Sequence, residues 1–302
     1  GLSGDDIFVE YVISGSLFPS YIQKLRNQSS AMNKSIIAVL AIMLAVPASL
    51  SAKPFSRSLT VKGSFNSLRS AGNIEVEYTP SNTFAAVIEA EYKEDLDKVK
   101  ATLSGGTLTI TTVGEHHEDI KVKLSAPGIS SFEASGNSEI EVEGNISGIN
   151  VTLKTEGNAS IDIDRNVNAS KLTLDTSGNS HIDIDGSAAS TEIHATTIGN
   201  SNIKISDLDA NAVIVDSNEN SQFSCKAITT RKLSAVGKSN AIIKLGGKAS
   251  WVEYDASGNS QIKAGTLVAD GGKATSAGNS HIRAAVRGLQ QSSQGNSSIS
   301  NK

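Results

Sequence analysis

Residues 135–184 read SGNSEIEVEGNISGINVTLKTEGNASIDIDRNVNASKLTLDTSGNSHIDI, in which Gly-Asn-Ser/Ala-x-Ile occurs at Gly136, Gly157 and Gly178, in steps of 21 residues. The motif returns at Gly199, Gly258, Gly278 and Gly295, with degenerate copies at Glu219 and Gly237, in steps of 17 to 21 residues. A period of this length marks a stacked repeat architecture. Within each copy apolar and polar residues alternate: Ile140 and Val142, Ile161 and Ile163, Ile182 and Ile184, Ile203 and Ile205. A second alternating run precedes each motif, as in Val151-Thr152-Leu153, Leu172-Thr173-Leu174 and Val213-Ile214-Val215. Period two is the signature of strands. Each coil thus holds at least two short strands with no helical stretch between them, and successive coils must stack edge to edge in parallel to bury one shared core.

Glycine allows a positive φ at the corner, and asparagine tolerates the left-handed region next best, so Gly-Asn is a turn. Stacking aligns Asn137, Asn158, Asn179, Asn200, Asn220, Asn259, Asn279 and Asn296 in one column, where side-chain amides can bond from coil to coil. The fold expected is all-β: a right-handed parallel β-solenoid (β-helix) over residues 128–302, with an N-terminal β-rich cap over residues 53–127. The cap is expected because a solenoid end exposes core and open strand edges. Its strands are placed at 59–61, 74–78, 86–88, 108–110 and 121–124, with a helical turn over 94–99. Ser104-Gly105-Gly106-Thr107 is expected to close a hairpin.

Export is read near the N-terminus. Met32-Asn33-Lys34 gives a positive start, Ile36 to Val46 is an apolar run too short to span a bilayer, and small residues follow around Leu50-Ser51-Ala52. Residues 32–52 are expected to be a signal peptide, cleaved before Lys53. Residues 1–31 precede it as a leader or upstream translation outside the fold. The destination expected is the periplasm, the outer surface or the extracellular space, with no membrane span after cleavage. Cys225 is the single cysteine, so no intrachain disulfide forms and packing must supply the stability. A net charge of −4 provides no global basic field for a polyanion, and with only 4% aromatic residues base stacking has few platforms. Nucleic acid is therefore not expected as a partner.

Phe65-Asn66-Ser67-Leu68 followed by Gly72-Asn73-Ile74-Glu75-Val76, then Gly106-Thr107-Leu108-Thr109-Ile110, then the serial Ser-Gly-Asn-Ser corners resemble the putative auto-transporter adhesin head GIN domain family. The resemblance runs from about Phe55 to Ile299. It implies an exported bacterial β-helical envelope or surface protein with an adhesive role, and it brings no catalytic residues. Family corners more often read Ser-Gly-Ser-Gly, so asparagine at the third position changes the ladder chemistry rather than the fold.

Counting from each corner assigns faces, because alternate side chains of a strand point opposite ways. Six residues on, the inward column reads Val142, Ile163, Ile184, Ile205, Cys225, Ile243, Ala264 and Ala284, which makes Cys225 a small buried hydrophobe. His181 and His281 share an outward column five coils apart, roughly 24 Å at about 4.8 Å per coil and too far for one metal ion. His116-His117 is the only clustered pair and is expected in a surface loop. The outward positions that flank the inward column carry Glu141, Asp162, Asp183, Glu143, Asp164 and Asp185 in the first three coils, then Lys204, Lys226, Lys244, Lys263 and Arg283 in later ones. The six acids form a patch expected to raise some carboxylate pKa values or to recruit calcium weakly; no other cofactor is expected. The lengthwise charge gradient can steer a charged partner or align two molecules. No acid, base and nucleophile are set out for catalysis, and the function expected is a binding or structural module that contacts a glycan or an envelope or surface protein, with self-association through the part-coil at Gly295–Ile299. The alternative is a polysaccharide-active β-helix enzyme, which would need clustered acids or a metal facing a Lys or Arg in a cleft.

Overall fold

The computed structural model of the chain describes residues 54–117 and 120–302. The expected leader, signal peptide and cleavage site, and Glu118-Asp119 beside the histidine pair, lie outside the described residues. What is described is nearly all-β, arranged as a β-solenoid of about 9 turns.

The corner motif dictates the stacking. β8 (Ser131–Gly136) and β9 (Glu139–Val142) flank the first Gly-Asn-Ser corner, and the following coils are formed by β10 (Ile146–Gly157), β11 (Ser160–Ile163) and β12 (Val167–Gly178). Then come the long β13 (His181–Gly199), β14 (Asn202–Glu219), β15 (Gln222–Gly237), β16 (Ile242–Ala256) and β17 (Gln261–Gly278), each bending through a whole coil, before β18 (His281–Val286), β19 (Gln290–Gly295) and β20 (Ser298–Asn301). All these neighbours pair in parallel, with Ile140, Ile161, Ile182 and Ile203 in one register column. Each coil carries a third short segment besides the two expected: 146–148 pairs with 167–169, and 167–169 with 188–190. The inward side chains are fully buried, Ile182 among them, and removal of one isoleucine side chain from water contributes about 2 kcal/mol.

Gly136, Gly157, Gly178 and Gly199 all have positive φ, between 78° and 87°. Each also lies close to the coil beneath, and at Gly178 and Gly199 a Cβ would collide with backbone, coming 2.7 Å from the Gly157 carbonyl oxygen and 2.8 Å from that of Gly178. Above the corner the asparagine amides donate in sequence, Asn158 to Asn137 (2.9 Å), Asn179 to Asn158 (3.0 Å), Asn200 to Asn179 (2.9 Å) and onward to Asn279. Inside the corner a second ladder runs. At most corners a buried serine follows the asparagine, and Ser180 and Ser201 accept hydrogen bonds from Thr155 and Thr176 at 2.8 and 2.9 Å. The motif's serine is thus the interior counterpart of its asparagine.

One corner differs from expectation. The turn assigned to Gly237 sits two residues later, at Ser239, whose φ is 58°, and Asn240 joins the ladder between Asn220 and Asn259. Gly237 instead pairs with Ser217 and Ala256 within the strand before the corner. The inward column therefore runs Ile205, Cys225, Leu245, and Ile243 belongs beside Phe223 and Ile262.

The N-terminal strands cover the solenoid's first end by doubling back. β2 (Ser67–Gly72) and β3 (Glu75–Pro80) already form a coil, with Gly72 in register with Gly136. β6 (Thr107–Thr112) and β7 (Ile120–Ala126) lie parallel on its other side. β4 (Ala85–Ala90) then runs antiparallel to β7, β5 (Val99–Ser104) antiparallel to β6, and β1 (Phe55–Ser58) antiparallel to β4. The hairpin at Gly105-Gly106 forms as expected, and a 3-10 turn at Lys93–Lys98 matches the helical turn. The strand expected over 59–61 lies instead at Phe55–Ser58. After Leu59 donates to the Ala86 carbonyl (2.8 Å) the chain leaves the ladder, and Leu59 and Val61 pack on the core from a loop. Their apolar alternation reports burial, not pairing.

Candidate functional site

The strand following each corner presents one outward side chain per coil five residues after the corner, and these residues stack in register. The column runs Glu77, Glu141, Asp162, Asp183, Lys204, Ser224, Lys244, Lys263, Arg283 and Ser300. It is acidic in its first four coils and basic toward the other end.

At the acidic end Glu141, Asp162 and Asp183 stand on consecutive coils, as the spacing predicts. The carboxylates whose oxygens converge, within 4.8 Å of one another, are however Glu75, Glu77 and Glu141. Glu75 and Glu77 lie in the segment expected as the cap, where they stand three and five residues after Gly72 as Glu139 and Glu141 stand after Gly136. Lys121 from β7 bridges this cluster, with its Nζ 2.7 Å from Glu75 and bonded also to Glu77. Burial works against the Lys121 ammonium, yet the two bridged carboxylates raise its pKa above the usual lysine value. Burial and then the neighbouring carboxylates, Glu77 foremost, raise the Glu141 pKa. Glu139 is raised likewise by burial and by Asp162. Farther along, Lys204 bonds Asp183 and reaches Asp185 at 3.3 Å; the bond to Asp183 raises the lysine's pKa. His181 lies 3.7 Å from Asp162, and that contact raises the imidazole pKa. Glu143 accepts from the Thr79 hydroxyl at 2.9 Å, while Asp164 adds its charge to the field at Glu141. The six predicted acids thus lie on one face, but they are interleaved with cations from the coils on either side.

At the basic end, Lys263, Arg283, His281, Gln261, Ser298 and Ser300 surround an open depression of about 540 Å³. The acidic depression beside Glu75 and Glu139 measures only about 100 Å³.

The other residues singled out from sequence fall in separate places. His117 donates its backbone N–H to Asp95 (3.2 Å) and stacks near Tyr92 at 4.9 Å, so it holds the loop to the cap's 3-10 turn. His194 contacts Glu192, two residues before it on β13, at 2.6 Å. Cys225 is buried in the core, and burial pushes its thiol pKa up to about 12, far from a reactive thiolate. Tyr78 and Phe132 pack at 5.4 Å inside the first coils.

A solenoid whose outward side chains stack in register from coil to coil defines a β-helical protein. The chain belongs to the family described as putative auto-transporter adhesin, head GIN domain, whose model matches residues 64–218 and again 199–302. No curated protein matches it. Among solved structures it is similar to a putative adhesin from Parabacteroides distasonis, with 18% identity, TM-score 0.63, and coverage of 83% of this chain and 95% of that one. It is also similar to a putative adhesin from Parabacteroides merdae (17% identity, TM-score 0.56, 83% and 97% covered). A third, from Bacteroides fragilis, shares 16% identity at TM-score 0.50 over 83% and 98% of the two chains. At such identities the likeness is one of fold.

Proposed function

We propose that this chain is an exported, non-enzymatic binding module of the cell envelope or surface, which attaches to a glycan or a surface protein through the flat face of its solenoid. The observation that carries this reading is the outward column from Glu77 to Arg283, which sets one polar or charged side chain per coil on a backbone ladder. Such a face offers repeated, weakly discriminating contacts that add along a polymer, rather than one enclosed site for a small substrate. Membership in an adhesin-described family supports the same reading. Among the described residues no helix is long and apolar enough to cross a membrane.

The test is retention of the purified protein on an array of glycans and envelope polymers, alongside N-terminal sequencing of the protein recovered from its native host. Retention on at least one polymer and a mature start near Lys53 are expected. Failure to bind any polymer or surface preparation would sink the adhesive role, and recovery with residues 32–52 intact in the cytoplasm would sink export.

A further inference from the structure

The two ends of the charged column are not equivalent. The cations at the acidic end are engaged: Lys121 by Glu75 and Glu77, and Lys204 by Asp183 and Asp185. At the other end Lys244, Lys263 and Arg283 stack on three consecutive coils, and among the described residues none of the three has an acidic partner. Three like charges about 4.8 Å apart repel one another. An anion laid along them would relieve that repulsion. Gly265 shapes the same place. A Cβ there would come 3.0 Å from Arg283 Cγ and 3.1 Å from its Cδ, so the absent side chain lets the arginine stem lie flat along the face. The 540 Å³ depression adds donors, with Gln261, Ser298, Ser300 and His281 around it. His281 uses Nδ1 on the Ser298 hydroxyl at 2.8 Å and keeps Nε2 for a ligand.

The spacing selects the class of anion. One cation per coil recurs at about 4.8 Å, which is close to the advance of a linear 1,4-linked pyranose chain per sugar. Successive sugars of a two-fold chain turn by about half a revolution, so carboxylates on one side recur every second sugar, at about twice the coil spacing, and meet Lys244 and Arg283 with Lys263 between them. Nucleic acid would also bring repeated charge, but this face has no exposed aromatic ring on which bases could stack; the exposed Trp251 lies on the strand segment before the next corner, in register with Lys232 and Gly271.

We propose that Lys244, Lys263 and Arg283 form a binding track for a linear polysaccharide bearing uronic-acid carboxylates, laid lengthwise across the coils. The inference rests on the adhesive reading and gives it a ligand class. The acidic column from Glu77 to Asp183 repels such a polymer, so the footprint is confined to the coils beyond Lys204 and one end of the solenoid becomes the adhesive tip.

The experiment measures binding of the full chain to polygalacturonate, to the neutral polymer hydroxyethyl cellulose and to poly(dT), at several salt concentrations. The expected result is binding to polygalacturonate, with log affinity falling against log salt at a slope of about −2 for three neutralised charges. The triple variant Lys244→Gln, Lys263→Gln, Arg283→Gln changes only exposed side chains and should melt as the parent does. At two- to five-fold per exposed ion pair it should bind roughly ten- to a hundred-fold more weakly. The pair Glu141→Gln with Asp162→Asn, at the other end, should not weaken binding. Undiminished binding by a folded triple variant overturns the track. So does poly(dT) binding as tightly as polygalacturonate. Retention on other polymers of the array without polygalacturonate binding overturns the ligand class while leaving the adhesive role in place, whereas loss of all retention strikes the adhesive role itself.

Discussion

Substituting alanine for Gly178 tests whether the corners, rather than the strands, set the spacing of the solenoid. At φ of 84° an L-residue costs about 1–2 kcal/mol relative to glycine. The new Cβ would also lie 2.7 Å from the Gly157 carbonyl oxygen and 3.1 Å from its nitrogen. That oxygen already accepts the Asn179 N–H at 2.7 Å, so the corner can open only by stretching this bond, at about 1 kcal/mol. Stiffening the unfolded chain returns about 0.4–1 kcal/mol. The net loss is about 1–3 kcal/mol, or roughly 2–12 °C at the 2–4 °C per kcal/mol expected for a domain of this size. Gly128→Ala is the control, because φ there is 65° but no atom lies within 4 Å of the added Cβ. It bears the dihedral cost without the collision. Urea midpoints and thermal melts by circular dichroism should place Gly178→Ala about 1 kcal/mol below Gly128→Ala, by the corner-bond figure above. The two natural non-glycine corners bear on this: above Glu219, with φ of 65°, the described corner bonds include none from the Asn220 N–H to Gly199, and above Ser239 the Asn240 N–H bonds Glu219 at 2.9 Å, whereas Asn200, Asn179 and Asn158 each bond the glycine beneath at 2.7 Å. Equal losses for the two variants would show that close approach plays no part in the demand for glycine.

Three further outcomes follow from the core and the charged face. Ile182→Asp buries a carboxylate in a fully enclosed column, at a cost of several kcal/mol against a domain stability of about 5–15 kcal/mol, and should abolish cooperative folding; unchanged melting of a soluble variant would remove Ile182 from the core. His181 should titrate above the ordinary histidine value of 6.5 by NMR, and Asp162→Asn should lower it. Because the folded-state pKa is the raised one, the pair's contribution is fully present below 6.5 and is lost as pH rises through the shifted value; at half exposure it is at most about 1 kcal/mol, and a stability that instead rises over that window would contradict the pairing. Lys121→Gln leaves Glu75, Glu77 and Glu141 without their shared cation, so the variant should melt lower than the parent and regain stability in millimolar calcium, while the parent should show no calcium dependence; a parent that calcium stabilises as much as the variant would mean that Lys121 does not fill the cluster.

The repeat was legible because one residue type answers two demands at each corner. Positive φ and a backbone neighbour within 3 Å together require glycine at Gly178 and Gly199, so the period is written in glycines. Where Glu219 and Ser239 adopt the left-handed conformation instead, that signal fails, and a nearby glycine of another kind replaces it. Gly237 is small because it faces inward near Ser260, not because it turns, and counting from it slips the register by two residues. A slip of two is the hardest error to see in a strand, since it preserves which side chains face the core. Ile243 and Leu245 both remain inward, so every burial assignment survives. What changes is the partner on the next coil. The slip set Ile242 beside Lys263 and left Lys244 in a flanking column, which breaks the basic stack, whereas the Ser239 corner aligns Lys244 with Lys263 and Arg283. At the other end Glu77 aligns with Glu141 only once Gly72 is counted as a corner. Core burial depends on parity, which tolerates such shifts; the charged track depends on absolute register, which a single non-glycine corner is enough to hide.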